Sequence, residues 1–311
     1  MDERVKGMDI ARLLTQDEIA NIEEIEKGWS LDKKYYIQLN NGEELLLRMS
    51  DMDQFTRKTT EFDAMTTFFK QGLPTPEPLD IKGVEEEVYS LFRWVKGTDL
   101  EDAIHTLSPE EQYQLGYQSG DILKQIQQYP VPTPTECWVD TFNQKIERNM
   151  ARYQACPLKY ETDEPFFNMI HTYRHLLENR PVSFHHGDYH IGNMLLSETQ
   201  ELQVIDFNRW DVGDPWEEFN RIDFTAKQSA LFATGQLDGY FAGKPPIGFF
   251  ELLALYISTN TLAALPWALE YSDAEVQTMK EKAAKVLAWT DDFKQVVPSW
   301  YGENAFEKYG K

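Results

Sequence analysis

Cysteine is scarce in this chain. Cys137 and Cys156 are the only two in 311 residues, and they stand far outside CxxC spacing. That excludes a disulfide scaffold and a thiolate metal cluster, and a reducing cytoplasm is the simplest compartment. Basic residues are also in short supply, with 30 Lys and Arg against 52 Asp and Glu, a formal charge of −22. Neither nucleic-acid phosphates nor an anionic lipid surface finds the basic patch it needs, so no nucleic acid and no membrane is expected as a partner. A cationic ligand would suit the balance, and so would solubility alone. The N-terminal MDERVKGMDIARLL begins acidic and lacks the apolar run of a signal peptide. One long apolar stretch exists, over 247–265, but it carries Glu251 and Asn260 and meets Pro266, which reads as a buried helix. Internal repeats, low-complexity tracts and a GxGxxG loop are all missing. Hydrophobic residues, at 41% with 13% aromatics, are sufficient for a substantial packed core.

The first hundred residues are strand-rich with a single helix. Strands are expected over 22–27, 34–39, 43–49, 79–82 and 88–95, with Asn40-Asn41-Gly42 as a hairpin turn. Leu45, Leu46 and Leu47 are too continuous for a sheet buried on one face only. A helix over 52–71 should end at Gly72, since Pro74, Pro76 and Pro78 forbid continuation. Beyond Lys96-Gly97-Thr98 the texture becomes helical. Ser108-Pro109-Glu110-Glu111 combines a capping box with proline at the first helical position, and 130–134 is a proline-punctuated linker. Helices follow over 140–155 and 165–177, and the capping box Ser272-Asp273-Ala274-Glu275 opens another to about 289. The expected fold class is α+β: a five-stranded antiparallel sheet with one helix over 1–95, then a larger, mainly helical lobe over 96–311.

Chemistry concentrates in SFHHGDYHIGNMLL at 183–196 and QVIDFNRWDVGDP at 203–215, where polar residues interrupt apolar runs. His185, His186, Asp188 and His190 have metal-donor chemistry, and histidines beside a turn also serve simply to satisfy backbone groups. The wider pattern discriminates. Asn193 stands five residues after Asp188 and Asp206 eighteen after it, the spacing of a kinase catalytic loop and metal-binding loop. Asp188 is then the group that accepts a hydroxyl proton. Asn193 and Asp206 supply hard oxygen donors suited to Mg²⁺.

HGDYHIGN at 186–193 and IDFNRWDVGDP at 205–215 resemble the aminoglycoside phosphotransferases and related small-molecule kinases, which share the protein-kinase-like two-lobed fold. Weaker similarity runs through 28–50 and the lobe pattern. The resemblance implies Asp188 as catalytic base, Asn193 and Asp206 as Mg²⁺ ligands, and ATP or GTP as co-substrate. His186 would brace the loop. His190, standing where protein kinases usually have lysine, either touches the transferred phosphate or is structural.

Such an enzyme needs a phosphate-clamping cation on the third strand, held by a helix glutamate. Arg48 occupies that position, an arginine in place of the protein-kinase lysine. Helical geometry selects Glu61, which shares an apolar stripe with Met65 and Phe68, whereas Asp63 lines up with Thr67 and Lys70. Gly28-Trp29-Ser30-Leu31-Asp32 is the candidate phosphate loop, with Ser30 and backbone amides as donors, though a hairpin turn explains it as well. Backbone groups of Arg93 and Val95 should meet the purine edge, Phe92 the back of its pocket and Ile205 a ring face. Asp211, Asp214, Glu217, Glu218 and Asp223 would attract acceptor amino groups, but bracing the loop and favouring a helix N-terminus explain them better. An aminocyclitol antibiotic is the leading acceptor, with choline-like, amino-alcohol and sugar metabolites behind it. A non-catalytic nucleotide-binding regulator would lack Asp188, Asn193 or Asp206, and none is missing. A histidine-based metallohydrolase is the third reading. No APE motif of a protein-kinase activation segment follows Asp206.

Overall fold

The computed structural model describes residues 18–26, 32–132 and 136–310. Alternating apolar residues build the first sheet. Strands β1 (Ile19–Glu24), β2 (Lys33–Leu39), β3 (Glu44–Asp51), β4 (Pro78–Val84) and β5 (Glu87–Arg93) form five antiparallel strands ordered β1-β2-β3-β5-β4. Tyr35, Ile37, Leu45, Leu47, Met49, Tyr89 and Leu91 cluster on one face. The period of two sends Arg48 and Ser50 to the other. β3 lies in the middle of the sheet, which explains its run of leucines. The Asn40–Gly42 hairpin forms as expected, with Gly42 at φ +89°.

Met52–Gln54 makes a 3₁₀ turn and α1 (Phe55–Lys70) follows, so the expected helix is real but begins three residues later. Its stripe of Lys58, Glu61, Ala64, Met65 and Phe68 is buried. Full burial of a side chain such as Phe68 contributes about 2 kcal/mol. Gly72, at φ +82°, ends the helix, as the sequence indicated.

Next come β6 (Gly97–Asp99), the one-turn α2 (Leu100–Ala103), α3 (Pro109–Ile126), α4 (Trp138–Ala155), α5 (Glu164–Tyr173), β7 (Ser183–His185), β8 (Met194–Ser197), β9 (Leu202–Val204) and β10 (Asp211–Gly213). α6 (Ile222–Gln228), α7 (Ala230–Phe241), α8 (Ile247–Leu269), α9 (Asp273–Thr290) and α10 (Ala305–Tyr309) complete the chain. β7 pairs with β10, and β6, β8 and β9 form a three-stranded sheet. The capping box at Ser108 forms at the start of α3, while at Ser272 only the serine half forms, its side chain accepting from Glu275 N–H to cap α9. Pro266 does not stop α8, which runs on to Leu269. Proline removes one N–H bond and crowds one carbonyl in the preceding turn, a local cost that a helix already packed tolerates in its last turn. α8 is also the only helix among the described residues long and apolar enough to cross a membrane, yet 67% of its most apolar window is buried. It serves as a core helix, with residues such as Phe249, Leu255 and Leu262 inside the protein.

The chain divides into two compact units: residues 1–98 with 195–208, and residues 99–194 with 209–311. In the second, α3 and α7 meet backbone to backbone. A Cβ on Gly120 would lie 2.0 Å from the Gln236 carbonyl oxygen, and one on Gly239 2.0 Å from that of Tyr117. Only glycine permits this approach.

Candidate active site

In the first unit Arg48 is the hub. Its Nη1 bonds Asp206 Oδ1 at 2.9 Å and its Nε bonds Asp32 Oδ2 at 3.2 Å, while Nη2, 3.1 Å from the same Asp32 oxygen, is at an angle unsuited to a hydrogen bond. Burial would lower the guanidinium's proton affinity, but the charges of Asp206, Glu61 and Asp32 more than offset it. Lys58, almost fully buried, donates to Asp32 Oδ2 at 2.7 Å and to Asn208 Oδ1, and stands 3.4 Å from Glu61 Oε2. Burial alone would raise the Asp32 carboxyl, yet Arg48, Lys58 and a hydrogen bond from Ser50 hold it below the usual carboxylate range. Arg48 therefore pairs with Asp32 and Asp206, and Glu61 reaches it through the field rather than by contact, its own partner being Lys58. Asp206 has a φ of +67°, a left-handed conformation that aspartate tolerates better than most residues.

In the second unit the loop after β7 gathers Asp188, His190 and Asn193. Gly187 lies at φ +83°, and a Cβ there would be 1.9 Å from the Arg209 carbonyl oxygen, so the glycine of HGD is sterically required. The Tyr189 hydroxyl donates to the Ser119 carbonyl at 2.7 Å, tying the loop to α3. Asn193 Nδ2 donates to the Asp188 carbonyl at 2.8 Å, leaving its Oδ1 without a protein partner among the described residues. Gly192 N–H donates to His190 Nδ1 at 3.1 Å, which leaves the ring proton on Nε2, 3.3 Å from Asp188 Oδ1. Arg221 Nη1 also bonds Asp188 Oδ1, and Arg209 Nη1 stands 3.7 Å from Oδ2. Burial would raise the Asp188 carboxyl. The His190 hydrogen bond and the charges of Arg221 and Arg209 overcome it and hold Asp188 well below the usual carboxylate range.

The acids after the metal loop are committed inside the protein. Asp214, wholly buried, accepts from Arg180 Nη2 at 2.8 Å, the Tyr256 hydroxyl at 2.7 Å and Trp216 N–H at 2.9 Å. Glu217 takes Lys145 at 2.7 Å, and Asp223 is 3.1 Å from Lys282. Glu218 accepts from Gly187 N–H at 3.0 Å, and burial pushes its carboxyl up to about 7 against the pull of His185. His185 gives Nε2 to the Asp214 carbonyl at 2.9 Å and Nδ1 to Asp211 at 3.0 Å. With both nitrogens facing acceptors, the imidazolium is favoured. Burial opposes it, but Asp211 and the charges of Glu218 and Glu217 push the pKa up to about 9. Bracing, one of the two uses expected for this cluster, accounts for these contacts.

Ser30 and the rest of the candidate phosphate loop at 28–31 lie outside the described residues. Phe92 is buried against Phe62, with ring centroids 5.9 Å apart, and Val95 and Ile205 are half-buried. Arg93 N–H is spent on the Glu77 carbonyl at 2.9 Å and its side chain on Glu77, which leaves Val95 N–H as the connector amide without a backbone acceptor among the described residues. Asp32, Lys58 and Arg221 were missed as partners of these sites. Only Lys58 left a signal, standing one helical turn before Glu61. No three His, Cys, Asp or Glu residues gather as a metal site among the described residues. His185 and His190 are already bonded as described, and His186 Nδ1 accepts the Asp188 N–H at 3.3 Å, so the metallohydrolase reading loses its ligands.

The fold recurs in solved structures. A point mutant of aminoglycoside 2′-phosphotransferase-IIIa, solved as its GDP complex, is 16% identical over 95% of this chain and 100% of that chain, with a TM-score of 0.68. Amicoumacin kinase hAmiN, in complex with AMP-PNP, Ca²⁺ and Ami, is 13% identical over 96% of this chain and 98% of that one, with a TM-score of 0.64. A thermostable mutant of aminoglycoside phosphotransferase APH(4)-Ia, in ternary complex with ADP and hygromycin B, is 16% identical over 89% and 97%, with a TM-score of 0.61. At these identities the likeness establishes the kinase-like fold. No curated protein matches the chain in sequence. The model of the phosphotransferase enzyme family matches residues 21–250. With that match spanning the catalytic and metal-loop motifs, the chain belongs to the phosphotransferase enzyme family and is a small-molecule kinase.

Proposed function

We propose that this kinase moves the γ-phosphoryl group of ATP or GTP to a hydroxyl of a small molecule, with Asp188 accepting the hydroxyl proton. The observation that carries this most directly is the loop itself. A half-buried carboxylate is kept ionised by His190, Arg221 and Arg209, beside an asparagine whose amide nitrogen is used internally and whose oxygen is left over. Asn193 Oδ1 and the Asp206 carboxylate are hard donors that fit a divalent cation of the Mg²⁺ type. Such an ion, when bound, would offset the charge that develops on the phosphate oxygens. Arg48 orients Asp206 and clamps phosphate, and Glu61 acts through Lys58 on the same network. His190 positions Asp188 rather than touching the phosphate. Ser30 contributes from the phosphate loop, while Phe92, Val95 and Ile205 form apolar walls and Val95 N–H, in preference to Arg93 N–H, meets the purine. Dependence on a nucleoside triphosphate fits a cytoplasmic enzyme.

The test is direct. Purified protein is incubated with ATP or GTP, with and without Mg²⁺, against a library of hydroxyl compounds that includes aminoglycosides. Mass spectrometry should find an acceptor gaining one phosphate only when the metal is present. Hydrolysis to inorganic phosphate alone, or metal-independent transfer, would contradict the assignment.

A further inference from the structure

The guanidinium nitrogens of Arg48 are used unevenly. Nη1 is spent on Asp206 Oδ1 at 2.9 Å. The opposite edge, the fork made by Nε and Nη2, faces a single oxygen, Asp32 Oδ2, at 3.2 and 3.1 Å. One oxygen does not satisfy both arms, and Nη2 is buried with no hydrogen-bond partner among the described residues. A buried N–H without an acceptor is rare, and this one belongs to a side chain only 6% exposed. Two further donors converge on the same carboxylate. Lys58 Nζ, from α1, reaches Oδ2 at 2.7 Å. The Ser50 hydroxyl, on the same face of β3 as Arg48, donates to Oδ1 at 2.8 Å. All of these residues belong to the first unit.

A guanidinium fork, an ammonium and a hydroxyl aimed at one carboxylate make a receptor for an oxyanion, and the carboxylate fills it incompletely. Phosphate carries more oxygens, set tetrahedrally. Two of them suit the Arg48 fork in parallel while a third takes Lys58 and Ser50. Neither cation depends on Asp32 alone. Arg48 keeps Asp206, and Lys58 keeps Glu61 and the Asn208 amide oxygen. Asp32 stands one residue before β2, so its side chain can turn away without breaking the strand's ladder. We propose that Arg48, Lys58 and Ser50 together bind oxygens of the nucleotide's triphosphate, and that Asp32 competes with the phosphate for them. This rests on the phosphotransferase reading and deepens it. Lys58 becomes a second phosphate cation beside Arg48, and Asp32 a built-in competitor that weakens nucleotide affinity. The other role open to Asp32 is a permanent brace that holds both cations in place. The two roles predict opposite signs, because losing a competitor tightens phosphate binding and losing a brace loosens it.

Titration calorimetry on the full chain tests this with Mg²⁺–ATP, Mg²⁺–GTP, inorganic tripolyphosphate, and the nucleosides adenosine and guanosine. Asp32→Asn keeps the shape of the side chain and removes its charge. It should tighten binding of the nucleotides and of tripolyphosphate by roughly 10-fold, as expected when an internal ligand fills the site about nine-tenths of the time. Nucleoside affinity should stay within about 2-fold, since no phosphate takes part. Asp32→Ala should act in the same direction, so the result does not hang on the folding of one variant. Lys58→Met should weaken both kinds of phosphate probe by roughly 10-fold, and in that background Asp32→Asn should gain less than about 3-fold. Phosphate binding that is unchanged or weaker in Asp32→Asn and Asp32→Ala overturns the proposal and makes the carboxylate a brace. The kinase assignment then still stands on the nucleotide binding of wild type. Equal tightening of the nucleosides overturns the proposal too, because the effect would not lie at the phosphates. If wild type binds neither nucleotide, the kinase assignment falls with it.

Discussion

Replacing Arg180 by methionine tests whether the segment after the metal loop is held by its buried ion pair. Arg180 grips Asp214 with Nε and Nη2, and its guanidinium lies 3.8 Å from the centre of the Trp216 ring. Asp214 has no exposed surface, and without Arg180 only the Tyr256 hydroxyl and Trp216 N–H remain to it. Breaking a buried pair by removing one partner costs about 3–5 kcal/mol, because the remaining charge has lost its compensation. The two surviving donors and the apolar methionine stem place the expected cost near the lower end, about 3 kcal/mol. For a chain of 311 residues that corresponds to a fall in Tm of roughly 4–5 °C. Urea denaturation at neutral pH measures the loss, and Arg180→Met combined with Asp214→Asn should recover more than half of it by removing the stranded charge. A loss below about 1 kcal/mol for the single variant, or no coupling in the double, would refute the reasoning.

Three further outcomes follow from the same contacts. His185, raised from 6.5 to about 9 in the folded protein, contributes stability that is complete below 6.5 and lost as pH rises through 9. The shift corresponds to on the order of 3 kcal/mol. His185→Gln should remove that slope in denaturation curves taken from pH 6 to 10, and an unchanged slope would contradict the imidazolium. Arg48→Met should weaken metal–nucleotide binding by roughly 10- to 100-fold in titration calorimetry, the usual cost of losing one or two charge-assisted bonds; undiminished affinity would remove Arg48 from the phosphate site. Gly120→Leu should destabilise the second unit by about 3 kcal/mol or more, since its side chain would enter the Gln236 backbone; an unshifted denaturation midpoint would deny the close packing of α3 and α7.

What the sequence disclosed were features written in short stretches. The Asn40-Asn41-Gly42 turn, the serine caps of α3 and α9 and the glycine that ends α1 are local chemistry, and each stands where its residues put it. The family was legible because the motifs at 186–193 and 205–215 compress its pattern into a few residues at fixed spacing. Pro266 lies inside the last turn of α8, where the packing of that helix outweighs a local helix-breaking preference. Long-range pairings stayed hidden. Lys58 finds Asp32 across 26 residues and Arg221 finds Asp188 across 33, and nothing local marks either choice. The close approach of α3 and α7 at Gly120 and Gly239 stayed hidden too, because the two helices lie more than a hundred residues apart in sequence. The role of the post-loop acids turned on the same kind of information. Their partners Arg180, Lys145 and Lys282 come from distant segments, and only the fold shows that those carboxylates are spoken for.

Asp188 carries the account, and phosphorus NMR tests it most directly. Wild-type protein and Asp188→Asn are each incubated with Mg²⁺, nucleoside triphosphate and an acceptor that the screen has identified. Wild type should build up a phosphate-ester resonance as the triphosphate declines, and Asp188→Asn should yield none while still binding the nucleotide. An ester that grows at the same rate in both would show that Asp188 does not take the proton, and would contradict the account at its centre.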